Sequence, residues 1–261
     1  MALIHHEDGD LDYNIFSRLG KAMQPGMLLV SSGATEIGRL DYLKRTGEEA
    51  TGDVEDVKTD YAAQGQMILM QNYRQFINPK YSVRQVLVEH SHFNDDEKRE
   101  HIVKLLMRAP GQNAIPIINY NDPVSSDENR KMELKRMENG NGLVECVDND
   151  ETAAVITMLV RAKTLVILTS VDGIYKDRKN PDTLIREISA KTPQALEDKV
   201  NQTIEYCYGA SRSGAGGAGA KLKYSLAPAQ QGTSVYISGA HNRIADIISG
   251  KADSTHIYLE E

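Results

Sequence analysis

The sequence predicts an α/β fold with a mainly parallel central sheet sandwiched by helices. Short apolar runs, foremost Thr164-Leu165-Val166-Ile167-Leu168-Thr169 and Ala114-Ile115-Pro116-Ile117-Ile118, alternate along the chain with longer segments of helical spacing, the pattern of strand-helix-strand units. Several of these runs empty into small or polar turns, at residues 31–34, 119–122 and 169–173. Sheets of this class bind ligands outside the carboxyl ends of their strands. No repeat or low-complexity linker divides the chain. If the strands are parallel, the turns lie along one edge.

Taken in order, Met27-Leu28-Leu29-Val30 reads as a buried strand stopping at Ser31-Ser32-Gly33-Ala34, where a helix can begin. Residues 47–57 are polar and acidic and read as loop. From residue 60 to 77, Tyr61, Ala62, Met67, Ile68, Met70, Tyr73 and Phe76 recur at helical spacing, so this is a core-facing helix. Gln85-Val86-Leu87-Val88 is the next strand, and residues 95–107 set Ile102, Leu105 and Leu106 on one stripe of a surface helix. His90, His92 and His101 invite a metal reading, but no acid or cysteine completes a ligand set nearby, so no metal site is predicted.

The run ending at Ile118 enters Asn119-Tyr120-Asn121-Asp122-Pro123, a second polar turn. Residues 125–144 are densely charged and read as a solvated lid or hairpin. Asp148-Asn149-Asp150 leads into an apolar helix over 151–161. As structure, such aspartates cap the helix; as function, an aspartate aimed from a helix start into a crevice orients a lysine or a metal-bound water. Residues 164–169 read as a central parallel strand and end at Ser170-Val171-Asp172-Gly173-Ile174-Tyr175. Further on come a strand at 185–188, helices at 193–200 and 222–230, a strand at 233–237, a short helix at 244–248 and a last, edge strand at 255–259.

Residues 211–221, Ser-Arg-Ser-Gly-Ala-Gly-Gly-Ala-Gly-Ala-Lys, are unlike the rest of the chain. A backbone with few side chains, a lysine and a following helix N-terminus suit an anion, most often phosphate. The same residues also suit a mobile glycine linker, because the spacing matches neither the P-loop nor the dinucleotide fingerprint. Bulk properties narrow the class. With 261 residues the chain can bury a large core, and its net charge of −7 argues against a nucleic-acid partner. Two cysteines, Cys146 and Cys207, form no disulfide or zinc pattern, and no run is long enough to cross a bilayer, so a cytoplasmic protein with no membrane partner is expected.

Six stretches occur in the order seen in the glutamate 5-kinases, a branch of the amino acid kinase family, which the chain resembles over nearly its whole length. They are Val30-Ser31-Ser32-Gly33-Ala34, Ala62-Ala63-Gln64-Gly65-Gln66, Ile117-Ile118-Asn119-Tyr120-Asn121-Asp122, Asp148-Asn149-Asp150-Glu151-Thr152-Ala153-Ala154, Leu168-Thr169-Ser170-Val171-Asp172-Gly173-Ile174-Tyr175 and Gly214-Ala215-Gly216-Gly217-Ala218-Gly219-Ala220-Lys221. The resemblance implies a single αβα-sandwich domain with an amino-acid-binding lobe over about 1–160 and a nucleotide-binding lobe over about 161–261. No C-terminal RNA-binding-like domain is expected. It implies ATP-dependent phosphorylation of the γ-carboxylate of L-glutamate, or of a similar small carboxylate, with Mg2+ held largely by phosphates and water, in a homo-oligomer, dimer or tetramer.

Carried over by position, Ser32 and Gly33 would hold the amino acid, and Asp122 and Asn149 its α-amino and carboxylate ends. Asp150 would orient the lysines beside the transferring group. Thr169 and Ser170 would lie by the nucleotide, Gly214, Ala215, Gly216, Gly217, Ala218, Gly219 and Ala220 around its phosphates, and Lys221 on the migrating charge. Such an arrangement suits phosphoryl transfer, which needs positioned anions and screened repulsion more than covalent help.

There are departures. Family members begin with a strand ending in a lysine and a glycine-serine loop, whereas residues 2–12 resemble the segment after that loop. A missing first strand is therefore expected, with activity conditional on it, and a degenerate kinase that binds nucleotide or amino acid without efficient turnover is the second reading. Ser170 stands where the family usually has aspartate and Tyr120 where it usually has glutamate, and the stretch between Pro123 and Cys146 is longer and more charged than usual.

Overall fold

The computed structural model describes residues 3–5, 9–125, 127–137, 143–146, 149–207 and 217–260. The chain divides into two compact units, one over Leu3–Asn149 and the other over Asp150–Glu261.

The first unit opens with β1 (Ile4–His5) paired antiparallel to β2 (Asp10–Leu11). Helix α1 (Tyr13–Ala22) starts at Asp12, whose carboxylate accepts from the amides of Asn14 and Ile15. Next come β3 (Leu29–Val30), α2 (Ala34–Thr46), α3 (Val54–Phe76), β4 (Ser82–Val88), α4 (His90–Asn94), α5 (Asp96–Arg108), β5 (Ala114–Tyr120) and α6 (Asp127–Met137). The sheet is parallel throughout in the order β3-β5-β4, with Leu29 opposite Ile117 and Val88 opposite Tyr120. β5 is buried at every position, as a parallel strand covered on both faces should be. Pro116 is tolerated because its groups point the same way as those of Ile118, whose carbonyl accepts from Ser31, and pairing with β3 begins only at Ile117.

Two elements of this unit differ from the sequence reading. α3 begins in the stretch read as acidic loop, because Asp53 caps it and Glu55 and Asp56 complement the helix dipole in its first turn. It packs on α2 where Gly38 and Gly65 let the two backbones approach. The charged stretch after Ser125 contains a helix, α6, rather than a hairpin. Its sequence has no apolar stripe, so helical periodicity could not announce it. The core of this unit includes Phe16, Leu69, Tyr73, Ile115 and Ile118, with Phe16 edge-on to Tyr73 at 5.1 Å.

The second unit contains all but the first residue of α7 (Asn149–Leu159), then β6 (Thr164–Thr169), β7 (Ile174–Tyr175), β8 (Leu184–Ile185), β9 (Glu187–Ala190), α8 (Pro193–Tyr206), α9 (Ala218–Gln230), β10 (Ser234–Gly239), α10 (Ile244–Ile248) and β11 (Ser254–Leu259). Its main sheet has the order β6-β10-β11-β9, with β10 parallel to β6, β11 antiparallel to β10, and β9 parallel to β11. Residues 255–259, expected at an edge, therefore lie inside the sheet. Ile257 is fully buried there, which a run with polar flanks did not signal. Strand β6, expected to be central, lies at one end of this sheet. Ile167, Val235, Ile237 and Ile257 pack with Leu196 and Val200 of α8 and Leu222 and Ala229 of α9.

Candidate functional site

In the first unit the carboxyl ends of the parallel strands gather the predicted turns. The amide of Ser31 extends the β3 ladder to the Ile118 carbonyl at 2.8 Å, and the buried Ser31 hydroxyl lies 2.9 Å from the Tyr73 hydroxyl. Burial pushes the Tyr73 phenol up to about 12, with the Ser31 bond opposing, so it stays protonated at neutral pH. Ser32, by contrast, is exposed. Gly33 precedes α2 at φ 100°, ψ 6°, a left-handed conformation that favours glycine, and its carbonyl accepts from Ile37.

Asp122 lies just beyond the end of β5, in a turn closed by the amides of Val124 and Ser125 donating to the Asn121 carbonyl. The Asn121 amide bonds Val88, and its side-chain amide donates to Glu89 at 2.8 Å. Glu89 was missed by sequence reasoning. Its signal was present, since it follows the apolar run 86–88 as Ser31 follows Val30.

Asn149 and Asp150 open α7, and Asp148 lies outside the described residues. The Asn149 Oδ1 atom is buried and finds no hydrogen-bond partner among the described residues. In the second unit, Asp150 Oδ2 accepts from Lys221 Nζ at 2.5 Å, both side chains being less than a fifth exposed. The structure thus brings together two candidates 71 positions apart. Gly214, Ala215 and Gly216 lie outside the described residues.

Helix α9 begins earlier than residue 222: Gly217 is its N-cap, and Ala218, Gly219, Ala220 and Lys221 form its first turn. Small residues permit this start, since a methyl on Gly219 would already lie 3.6 Å from Ile204 of α8. The turn therefore presents amides and a cation at a positive helix end, a combination that attracts anions.

At the carboxyl ends of the parallel strands β6 and β10, the Ala240 amide donates to the Thr169 carbonyl at 2.8 Å. Thr169 is half-buried and Ser170 exposed. Close by, Asp172 Oδ1 accepts from Asn242 at 2.9 Å and lies 3.0 Å from His241 Nε2. Among the described residues no group of three or more His, Cys, Asp or Glu is placed to hold a metal ion, and no helix is long and apolar enough to cross a membrane.

Residues 7–239 match the amino acid kinase family. The glutamate 5-kinase of Shouchella clausii is 30% identical over 238 residues, covering 88% of this chain and 57% of that protein. That of Clostridium perfringens is 28% identical over 265 residues, covering 94% and 88%. The chain thus spans little more than half of the first relative and most of the second. Among solved structures, a carbamate kinase from Giardia superposes with a TM-score of 0.61 at 14% identity over 99% of this chain and 96% of that one. An isopentenyl phosphate kinase of T. acidophilum gives 0.53 at 14% identity over 99% and 96%. At such identity these two speak for the fold. A family match over most of the sequence, on a parallel-stranded α/β frame with helices against its sheets, makes this chain a member of the amino acid kinase family.

Proposed function

We propose that this chain transfers the γ-phosphoryl group of ATP to the γ-carboxylate of L-glutamate, giving glutamyl 5-phosphate and ADP, the first step of proline synthesis in the cytoplasm. The observation that carries the reading is the likeness to proteins named glutamate 5-kinase across 88% and more of the chain. A carboxylate oxygen attacks the γ-phosphorus, an acyl-phosphate bond forms, and the bond to the β-phosphate breaks with its electron pair leaving on ADP.

The first unit serves the acceptor and the second the nucleotide. Ser32 and Gly33 receive the amino acid, and Asp122 accepts from its α-ammonium group. Asn149 joins them, and its buried Oδ1, without a partner among the described residues, suits an ammonium donor. Asp150 holds Lys221 by the ion pair at 2.5 Å, so the lysine charge is fixed where negative charge accumulates on the migrating group. The amides of Gly217, Ala218, Gly219 and Ala220, with Gly214, Ala215 and Gly216, cradle the phosphates, and Thr169 and Ser170 flank the nucleotide. Mg2+ would be carried by the phosphates and water, with the carboxylate of Asp150 at hand to accept from its water shell. When bound, it screens the phosphate charges.

Self-association into a dimer or tetramer is part of the proposal. The test of the reaction is ADP release with ATP and Mg2+, with and without L-glutamate. Release that depends on glutamate is expected, and release indifferent to it overturns the assignment.

A further inference from the structure

The extended charged stretch after Pro123 is fastened to the acceptor end of the first unit by a network that the proposed chemistry does not use. Tyr120, the last residue of β5, is 5% exposed, and its hydroxyl lies 2.8 Å from Ser125 Oγ and 3.3 Å from Nδ1 of the fully buried His90. Those two bonds bracket the turn that carries Asp122. The other nitrogen of His90, Nε2, lies 2.8 Å from Glu133 Oε2 on α6, close enough for electrostatic attraction although not aligned as a hydrogen bond. Arg130, also on α6 and 9% exposed, sets its guanidinium 5.5 Å from the Tyr120 ring centroid and donates to the Cys146 carbonyl at 3.0 Å. Asn94 closes the return, donating to the Val144 carbonyl at 2.8 Å and accepting from the Val144 amide at 2.9 Å.

A helix as polar as α6 has no apolar face with which to dock. What holds it is this set of polar contacts, and they converge on Tyr120. A buried histidine and a buried arginine are costly unless their contacts serve something. Here both act on the residue that leads into Asn121 and Asp122.

We propose that Tyr120, His90 and Arg130 are positioning residues for the acceptor: they fix the Asp122 turn and lock α6 to it, so that α6 sets affinity for the phosphoryl acceptor and leaves the nucleotide untouched. This rests on the functional reading above. Burial also raises the Tyr120 phenol above its ordinary range, which keeps the hydroxyl protonated and able to serve both neighbours at neutral pH.

The test compares wild type, Tyr120→Phe and His90→Gln as full chains, in two measurements. Trypsin digestion without ligand reports the docking of α6, where Arg130, Lys131 and Lys135 offer cleavage sites. Both variants should be cut there several-fold faster, in step with the larger open population. Steady-state ADP release should then show the KM for L-glutamate raised roughly tenfold, the equivalent of one net hydrogen bond, with kcat and the KM for ATP within about twofold. Unchanged glutamate KM in active variants overturns this proposal alone, and so does an equal loss for both substrates, which marks a merely structural role. Wild type without glutamate-dependent turnover overturns the functional reading and takes the acceptor role with it.

Discussion

The crossing of α2 and α3 gives a prediction whose sign follows from the geometry. A methyl at Gly65 would overlap the Ala34 carbonyl oxygen and sit 2.5 Å from the Gly38 nitrogen, and one at Gly38 would overlap the Tyr61 carbonyl oxygen and sit 2.7 Å from its carbon, whereas ordinary contact begins near 3.4 Å. These neighbours are backbone, so no rotamer change relieves the overlap and the helices must part by about an ångström or more. Over-packing of this kind costs about 1–3 kcal/mol, and the upper end applies where backbone meets backbone. Alanine returns roughly 1 kcal/mol through its better helix propensity. Gly65→Ala should therefore be destabilised by about 2 kcal/mol, which lowers Tm by about 4–8 °C in a chain of this size.

The displaced carbonyl belongs to Ala34, the first residue of α2 and the neighbour of Gly33, so the glutamate KM should rise as well. Thermal unfolding of Gly65→Ala, Gly38→Ala and the double variant is the assay, with Gly111→Ala, which meets nothing within 4 Å, as control. The double variant should lose less than the sum, because the first methyl already separates the helices. A Gly65→Ala protein as stable as wild type would refute the reasoning.

Two further predictions concern the second unit. Lys221→Ala should lower kcat by a factor of about a hundred or more while Tm falls by only a few degrees, because alanine suits a helix first turn and the Asp150 carboxylate left behind keeps some access to water. Collapse of Tm alongside activity would instead mark Lys221 as structural. The ring of His256 is stacked between Tyr236 and Tyr258 at 4.2 and 4.3 Å, and its buried Nε2 has no hydrogen-bond partner among the described residues. Burial pushes its pKa below the ordinary histidine value, partly offset by Glu187. With the folded pKa depressed, the unfolded chain binds the proton more readily, so stability is intact above about pH 6.5 and is lost as pH falls below it. Tm should drop between pH 7 and 5, and less in His256→Phe; parallel Tm profiles would contradict this.

Much of the frame was legible because apolar runs such as 114–118 and 164–169 have no other use than a buried strand. The rest was hidden for identifiable reasons. The start of α3 looked like loop because capping and dipole effects, rather than periodicity, stabilise acidic helix starts. α6 was invisible to periodicity because side chains from α4 and β5 hold it. Gly217 to Lys221 read as loop because glycine is a poor helix former, yet packing against α8 sets the start of α9 there. Within the site, the strand-end turns could be read locally. The Asp150–Lys221 pair spans 71 positions and could be anticipated only from resemblance. In sequence His90 invited only a metal reading, which was not adopted, and only the fold reveals it as a buried link between Tyr120 and Glu133.

The central claim is phosphoryl transfer to a carboxylate, and the product itself tests it. With ATP, Mg2+, L-glutamate and hydroxylamine, an acyl phosphate is trapped as the γ-glutamyl hydroxamate. One hydroxamate is expected for each ADP released, with both lost together in Lys221→Ala. ADP formed without hydroxamate, or ATP bound with neither product appearing, would contradict it.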